Sequence, residues 1–215
     1  MTQALALIAC YIVGAVPFGL IIGKITRGVD IRDFGSGNIG ASNVLRTLGL
    51  GPGICVMVLD TAKGLGAVVL CEQLGLSHWW IVSGALLSVL GHSFSVFLKF
   101  RGGKGVATSL GVIIGLNWAI AAVAFTGWVA LVAITRYISV ASIVAALSVP
   151  IQMILWKSQK VPVQYQLLAG VAALAIVLKH TSNIKRLASG TEARFGQRVD
   201  VSKNEDAGED KDGSA

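Results

Sequence analysis

The sequence has few charged residues. Only 13% of its 215 residues are Asp, Glu, Lys or Arg, against roughly 25% in soluble domains. Apolar residues make up 54%, and several apolar runs reach the roughly 20 residues that a helix needs to cross a bilayer. These proportions exclude an ordinary soluble domain and predict an integral membrane protein with several transmembrane helices.

Cysteine is also scarce. Cys10, Cys55 and Cys71 all lie in apolar runs, without CxxC spacing and without a nearby histidine. Disulfide frameworks and zinc sites both depend on such spacings. We therefore predict buried, inert thiols and expect neither a metal nor a cofactor.

The first apolar run lacks the basic segment with which a secretory signal begins. Lys24 and Arg27 follow the run, where a signal would have a small-residue cleavage site. The run is therefore predicted to be a retained first span over residues 3–23, with a kink at Pro17. Further spans are expected at 52–74, 79–98, 140–156 and 163–179.

The stretch 106–134 is too long for one typical span and short for two. Two short helices joined near Leu116 and Asn117 would fit it. The chain then has seven spans, and nearly all of its 18 Lys and Arg residues fall on one side, whereas six spans divide them about evenly. Because positive loops face the cytoplasm, we predict an all-α protein with seven transmembrane helices, two of them short. Its N-terminus would lie outside and its C-terminus in the cytoplasm.

The C-terminal residues 199–215 have a different composition from the rest of the chain. They are rich in Lys, Asp, Glu, Gly and Ser and nearly devoid of apolar residues, which is typical of disorder. We predict a single transmembrane domain over residues 1–198, followed by a disordered polar tail.

The polar residues are concentrated in three clusters, which the seven-helix topology places on the cytoplasmic face. The first cluster is 34–49, the second is 91–111 and the third is 179–192, with a smaller one at 135–142. They contain hydroxyls, amides, cations and the imidazole of His180. Exposed amides of glycine-rich loops bind anions, and this inventory suits two phosphate groups.

Two nucleotide-binding motifs fail in their context. The segment 35–40 reads GxGxxG, but a membrane helix and a charged linker precede it instead of the strand of a dinucleotide-binding unit. The Gly103-Lys104-Gly105 segment lacks the Ser or Thr that follows the lysine of a P-loop. Nucleotide binding is therefore not indicated.

At these clusters the sequence resembles the bacterial glycerol-3-phosphate acyltransferases that use acyl-phosphate as donor, the PlsY family. The resemblance covers residues from about 5 to 198, with one departure in the second cluster, where Ser95 replaces the usual proline. The segments that carry it are Gly35-Ser-Gly-Asn-Ile-Gly-Ala-Ser-Asn43 with Arg46, Gly91-His92, Gly102-Gly-Lys-Gly-Val-Ala-Thr108, Leu59-Asp-Thr-Ala-Lys-Gly64, Arg136-Tyr-Ile-Ser139, and His180, Asn183, Arg186-Leu187 and Gly190-Thr-Glu192.

The resemblance implies a multi-pass enzyme of the bacterial plasma membrane with its active site facing the cytoplasm. It would transfer a fatty acyl group from acyl-phosphate to the 1-hydroxyl of glycerol 3-phosphate, the first step of phospholipid biosynthesis. The products would be lysophosphatidic acid and phosphate, without metal or CoA. The implied partners are these two substrates and the lipid bilayer, with no nucleic acid and with a monomer as the expected state.

We assign site residues at the matching positions. The residues expected to be catalytic are Ser36, Arg46, Lys104, His180 and Asn183. Those expected to bind substrate or phosphate are Gly37, Asn38, Gly40, Asn43, Gly102, Gly103, Gly105, Thr108, Ser139, Ser142, Arg186 and Glu192. The general base is either His180 or the acceptor's own phosphate. An acyl-phosphate is already activated, so alignment of two anions suffices and no covalent nucleophile is needed.

Three further ionisable residues lie in apolar sequence. Asp60 and Lys63 have the i, i+3 spacing of an ion pair within a helix. His92 would either brace the second cluster or act there directly.

Two other functions compete with the enzyme. A transporter of phosphate esters or anions would also have basic loops, but transporter sites are typically near the midplane, where this chain has few polar residues. A membrane scaffold protein would have no use for three anion-binding loops.

Overall fold

A computed structural model describes residues 1–199. Of the predicted polar tail only Val199 is therefore described, so the division into one domain and a disordered tail stays a prediction. The regular secondary structure of residues 1–199 is helical, with no β-strand. The α-helices are α1 (Thr2–Ala15), α2 (Phe18–Arg27), α3 (Ala41–Leu48), α4 (Leu50–Gln73), α5 (His78–Ser93), α6 (Val106–Leu116), α7 (Trp118–Thr135), α8 (Ile138–Leu155), α9 (Val163–Lys179) and α10 (Thr181–Ala188).

Within residues 1–199, five apolar segments are long enough to cross a membrane. They are α1 with α2 (Thr2–Arg27), α4, α5 with the turn that follows it (His78–Leu98), α7 and α8. α9 and α10 form a sixth candidate, bent by 52° between the two helices. The all-α class and the multi-pass character are therefore confirmed.

The predicted division of the stretch 106–134 is half right. α6 ends at Leu116 and α7 begins at Trp118, and the Asn117 side chain caps α7 by accepting a hydrogen bond from the Ile120 amide at 3.1 Å. α6 has only 11 residues, but α7 has 18 and is a full-length candidate span. Only one of the two helices is therefore short.

Pro17 divides the first span into two helices. α1 ends at Ala15 and α2 begins at Phe18, because proline has no amide hydrogen and its ring obstructs the preceding turn. The break leaves the Val16 carbonyl outside both helices. This carbonyl accepts a hydrogen bond from the buried Lys63 ammonium of α4 at 3.0 Å.

The polar clusters meet at one end of the bundle. The Lys104 ammonium donates to the Asn183 side chain, and the Phe195 amide donates to the Arg136 carbonyl at 2.6 Å. At the other end the Asn117 side chain reaches Gln159 at 3.2 Å, and the rings of His78 and Tyr165 are 5.2 Å apart. These contacts define a polar end and an opposite end of the bundle.

Glycine allows α4 and α6 to pack closely. A Cβ atom on Gly64 of α4 would overlap the Thr108 carbonyl of α6, and one on Gly111 of α6 would overlap the Thr61 carbonyl of α4. Small residues permit such close approach of membrane helices. The contact holds the start of α6, and with it the end of the second cluster, against α4.

We predict that Gly64→Ala destabilises the protein, whereas Gly66→Ala on the same helix does not. The added methyl at Gly64 meets backbone and should cost about 1–3 kcal/mol. A Cβ at Gly66 meets nothing within 4 Å. Thermal unfolding in detergent would measure the stability of both variants, and equal melting temperatures for the two would contradict the close packing of α4 against α6.

Candidate active site

A cavity of about 360 Å³ opens at the polar end of the bundle. It is lined by the three polar clusters and by the first turns of α8. Most residues that the sequence assigned to the site line it, namely Ser36, Asn38, Gly40, Asn43, Arg46, Lys104, Gly105, Ser139, Ser142, His180, Asn183 and Glu192.

In the first cluster Asn43 holds the loop that carries Ser36. Its side-chain oxygen accepts from the Ser36 amide at 2.8 Å and from the Ser36 hydroxyl at 3.2 Å. Its amide nitrogen donates to the carbonyls of Ile31 and Phe34 at 3.0 and 3.1 Å. Because these bonds occupy the buried side chain, Asn43 organises the loop, and Ser36 remains exposed at the mouth of the cavity.

Arg46 on α3 and Lys104 contribute positive charge to the cavity wall. Burial lowers the pKa of the Arg46 guanidinium, with Arg186 adding to this effect and Glu192 opposing it. Among the residues that the structure describes, the guanidinium has no ion-pair partner. It is therefore available to an anionic ligand, for which arginine is well suited.

In the second cluster the chain folds back along the end of α5. The Gly102 amide donates to the Ser93 carbonyl at 3.2 Å and the Gly103 amide donates to the His92 carbonyl at 3.0 Å. This return brings the half-buried Lys104 into the cavity. Burial lowers the pKa of Lys104 to about 8, with Arg186 and Arg46 adding to the effect and Glu192 opposing it.

A chain of polar contacts joins the second and third clusters. Lys104 donates to the oxygen of Asn183, and the nitrogen of Asn183 donates to Glu192 Oε1 at 2.6 Å. Arg186 Nε donates to Glu192 Oε2 at 2.7 Å. Burial alone would raise the pKa of Glu192. The hydrogen bond from Asn183 and the charge of Arg186 hold this pKa below its usual value. The carboxylate thus anchors both partners.

His180, which follows the last residue of α9, is buried in the same wall. Its Nδ1 lies 2.8 Å from the Ile176 carbonyl. Since a carbonyl only accepts hydrogen bonds, Nδ1 carries the hydrogen and Nε2 is left as an acceptor. Burial and the charge of Lys104 lower the pKa of His180 to about 4, so the imidazole is neutral near pH 7.

Five assigned residues do not line the cavity. The amides of Gly102 and Gly103 bond to α5, Thr108 is fully buried where α4 and α6 meet, and Arg186 binds Glu192. Gly37 has a φ of 66° and sits next to the Arg32 carbonyl, so its role there is in the turn.

The sequence reasoning missed the apolar part of the cavity. Below the polar mouth it runs between α4, α5, α6, α7, α8 and α9. Its lining there includes Met57, Leu86, Val112, Ile113, Ala121, Ala124, Trp128, Ala145, Ala146, Val149, Leu168, Ala169, Ala172 and Ala173. The alanines recur at helical spacing on α7, at 121 and 124, and on α9, at 169, 172 and 173, and this repeat was the available signal.

The cavity is deep as well as divided by polarity. Along α8 the lining runs from Ser139 to Val149, which corresponds to roughly 15 Å of helix rise. The Trp128 indole donates to the Ser142 hydroxyl at 3.1 Å, where the polar part gives way to the apolar part. The shape fits an anionic head group with an alkyl chain attached.

Comparison with known proteins places the chain in a family. The family model described as "Glycerol-3-phosphate acyltransferase" matches residues 4–190. A glycerol-3-phosphate acyltransferase of Synechococcus sp. (strain JA-2-3B'a(2-13)) is 44% identical over 92% of this chain and 97% of its own length. One of Thermus thermophilus is also 44% identical, over 94% of this chain and all of its own.

Two crystal structures of PlsY, an integral membrane glycerol 3-phosphate acyltransferase, have the same fold. Its glycerol 3-phosphate form has a TM-score of 0.85 and 38% identity, covering 91% of this chain and 96% of that one. Its lysophosphatidic acid form has a TM-score of 0.83 and 37% identity. The chain therefore belongs to the glycerol-3-phosphate acyltransferase family of integral membrane proteins.

Proposed function

We propose that this protein transfers a fatty acyl group from acyl-phosphate to the 1-hydroxyl of glycerol 3-phosphate. The products are lysophosphatidic acid and inorganic phosphate, and the reaction is the first step of phospholipid biosynthesis. The observation that carries the proposal is the division of one cavity into a cationic mouth and a deep apolar interior. Related structures with glycerol 3-phosphate and with lysophosphatidic acid support it.

The reaction needs two phosphate groups side by side. The hydroxyl oxygen attacks the acyl carbonyl carbon, the bond from this carbon to the phosphate oxygen breaks, and phosphate leaves with the electron pair. Arg46 and Lys104 supply positive charge for the phosphates, and Ser36 supplies a hydroxyl at the mouth. Fixed donors of this kind stabilise developing charge without reorganisation.

The hydroxyl proton has two possible acceptors. The Nε2 atom of neutral His180 is free to accept it, because Nδ1 is engaged by the Ile176 carbonyl. The low pKa of His180, about 4, makes it a weak base. The phosphate of the acceptor is the alternative, and then His180 only orients the hydroxyl.

We also propose the membrane topology. The helices that join the two ends of the bundle give seven crossings, with the N-terminus outside and the polar end, the cavity mouth and the C-terminus in the cytoplasm. α6 rises only about 16 Å by its 11 residues. The irregular segment before α6, where the chain folds back along α5, completes this crossing. Its hydrogen bonds to α5 protect it from lipid.

Cysteine labelling in cells tests this topology. Cys55 is exposed, contrary to the predicted burial of all three thiols, so the three native cysteines are first replaced by serine. Single cysteines replacing Lys157 and Arg101, both exposed, should then differ in their reaction with an impermeant maleimide. Lys157→Cys should react from outside, and Arg101→Cys only after the membrane is permeabilised. The opposite pattern, or labelling of both from outside, would refute the orientation.

An assay with purified protein tests the activity. Phosphate should be released only when acyl-phosphate and glycerol 3-phosphate are both present, without ATP or CoA. Lys104→Ala should lower the rate about 100-fold or more, because a half-buried cation that pairs with phosphate is lost. Lys99→Ala, an exposed lysine five residues earlier, is the matched control and should keep the wild-type rate.

Three results would alter the proposal. Absence of release, together with glycerol 3-phosphate flux into liposomes, would make the protein a transporter. Full activity of Lys104→Ala would show that Lys104 has no role in the reaction. Near-full turnover of His180→Ala at saturating substrate would eliminate His180 as the general base and leave the acceptor's phosphate.

The pH dependence of the reaction should report on Lys104. The ammonium is charged below its pKa of about 8, so kcat/KM for glycerol 3-phosphate should fall as the pH rises through that value. Lys104→Arg keeps its charge throughout this range, so its residual activity should show no such decline. A decline of the same size near pH 8 in the Arg variant would assign this titration to another group.

A further inference from the structure

Three buried ionisable side chains lie beside the cavity and have no part in the proposed reaction. They are Asp60 and Lys63 on α4 and His92 on α5, with relative exposures of 2%, 4% and 4%. Asp60 and His92 also line the cavity. Charged groups buried in a membrane protein are costly and call for a functional explanation.

The three side chains form one connected group. Lys63 Nζ lies 2.9 Å from Asp60 Oδ1 and also donates to the Val16 carbonyl. His92 Nδ1 lies 3.5 Å from the same Asp60 oxygen. Because the carboxylate is fixed by Lys63, it offers His92 Nδ1 a fixed negative partner. The contact has no hydrogen-bond geometry, so Asp60 orients the imidazole through the attraction between its charge and the Nδ1 edge of the ring.

The opposite edge of the imidazole faces the loop of the second cluster. A Cβ atom on Gly103 would overlap His92 Nε2, so the ring packs directly against the Gly103 backbone. The Gly103 amide also donates to the His92 carbonyl at 3.0 Å. His92 thus contacts Gly103 with both its ring and its backbone, and Lys104 is the next residue.

This geometry decides between two roles for His92. A catalytic base paired with an aspartate would need Nε2 open to the substrate hydroxyl. Here the Nε2 edge lies against Gly103. The ring therefore acts on the loop.

We propose that Asp60 and His92 are positioning residues for Lys104. Asp60 orients the His92 ring, the ring supports Gly103, and this support places the Lys104 ammonium beside Asn183 in the cavity wall. The inference depends on the proposed role of Lys104 in phosphate binding. It explains why the ion pair on α4 includes a third, histidine partner, and why Gly103 has no side chain.

Two substitutions of His92 separate its contacts. His92→Asn keeps a donor that can reach Asp60 but removes the ring edge under Gly103, whereas His92→Phe keeps a ring and removes the donor. Ser88→Ala is the matched control, since Ser88 is buried one turn earlier on α5 and donates to the Lys63 carbonyl without contacting the loop. The acyltransferase assay would measure kcat and KM for glycerol 3-phosphate from about pH 7 to pH 10.

We expect both His92 variants to raise KM about tenfold, the effect of weakening one hydrogen bond from a charged group. kcat should stay within about threefold, since the lost contact is shared by ground and transition states. The decline of kcat/KM near pH 8 should move to higher pH, because Lys104 would be less buried. Ser88→Ala should keep the wild-type KM and pH profile.

The outcomes distinguish this inference from the proposed function. His92 variants that match Ser88→Ala in KM and pH profile would overturn it, as would a fall in kcat with unchanged KM. If one variant does not fold, the other decides. A wild-type protein that releases no phosphate would refute the proposed function instead. In that case the binding of glycerol 3-phosphate alone still tests the positioning. The rise in unfolding temperature that it causes should be smaller in the His92 variants than in Ser88→Ala.

Discussion

The contact between Lys104 and Asn183 holds the mouth of the cavity together. It joins the loop after α5 to α10, two segments that are distant in the chain. Asn183 passes the connection to Glu192, and Glu192 to Arg186. The buried side chains of Asn183 and Glu192 thereby find hydrogen-bond partners, as burial requires. In this arrangement Arg46, Lys104 and His180 line the same cavity.

The division of the cavity by polarity follows from the environment of the bundle. Hydrocarbon does not solvate polar groups, so polar and irregular chain gathers at one end or is buried within the protein. The apolar interior begins where Trp128 donates to Ser142. A substrate with a phosphate head and an alkyl chain matches both parts. Its chain can stay in apolar surroundings while its head reaches the cations, so in the proposed reaction the fold would bring a lipid-soluble donor to a water-soluble acceptor.

The sequence predicted which residues line the cavity better than it predicted the details of the loops. Lys104, Asn183 and Glu192 were assigned separately, and the structure brings them into one connected group. The glycines 102 and 103 were assigned to phosphate because their amides were assumed free, but these amides bond to α5. α7 was expected to be short because the stretch was divided evenly, whereas the loop before α6 shortens only α6. Such differences arise from contacts between segments, which local patterns do not contain.

The sequence by itself determined the membrane-embedded all-α class, the break at Asn117 and the three polar clusters, because apolar run length, capping residues and charge act locally. Only the tertiary structure decided which groups face the cavity. It engaged the Asn43 side chain and the amides of Gly102 and Gly103 in hydrogen bonds within the protein. It placed His92 between Asp60 and Gly103. It also created the apolar interior from alanines on separate helices. A cavity is the space that packed helices leave between them, so the sequence of any single segment does not reveal it.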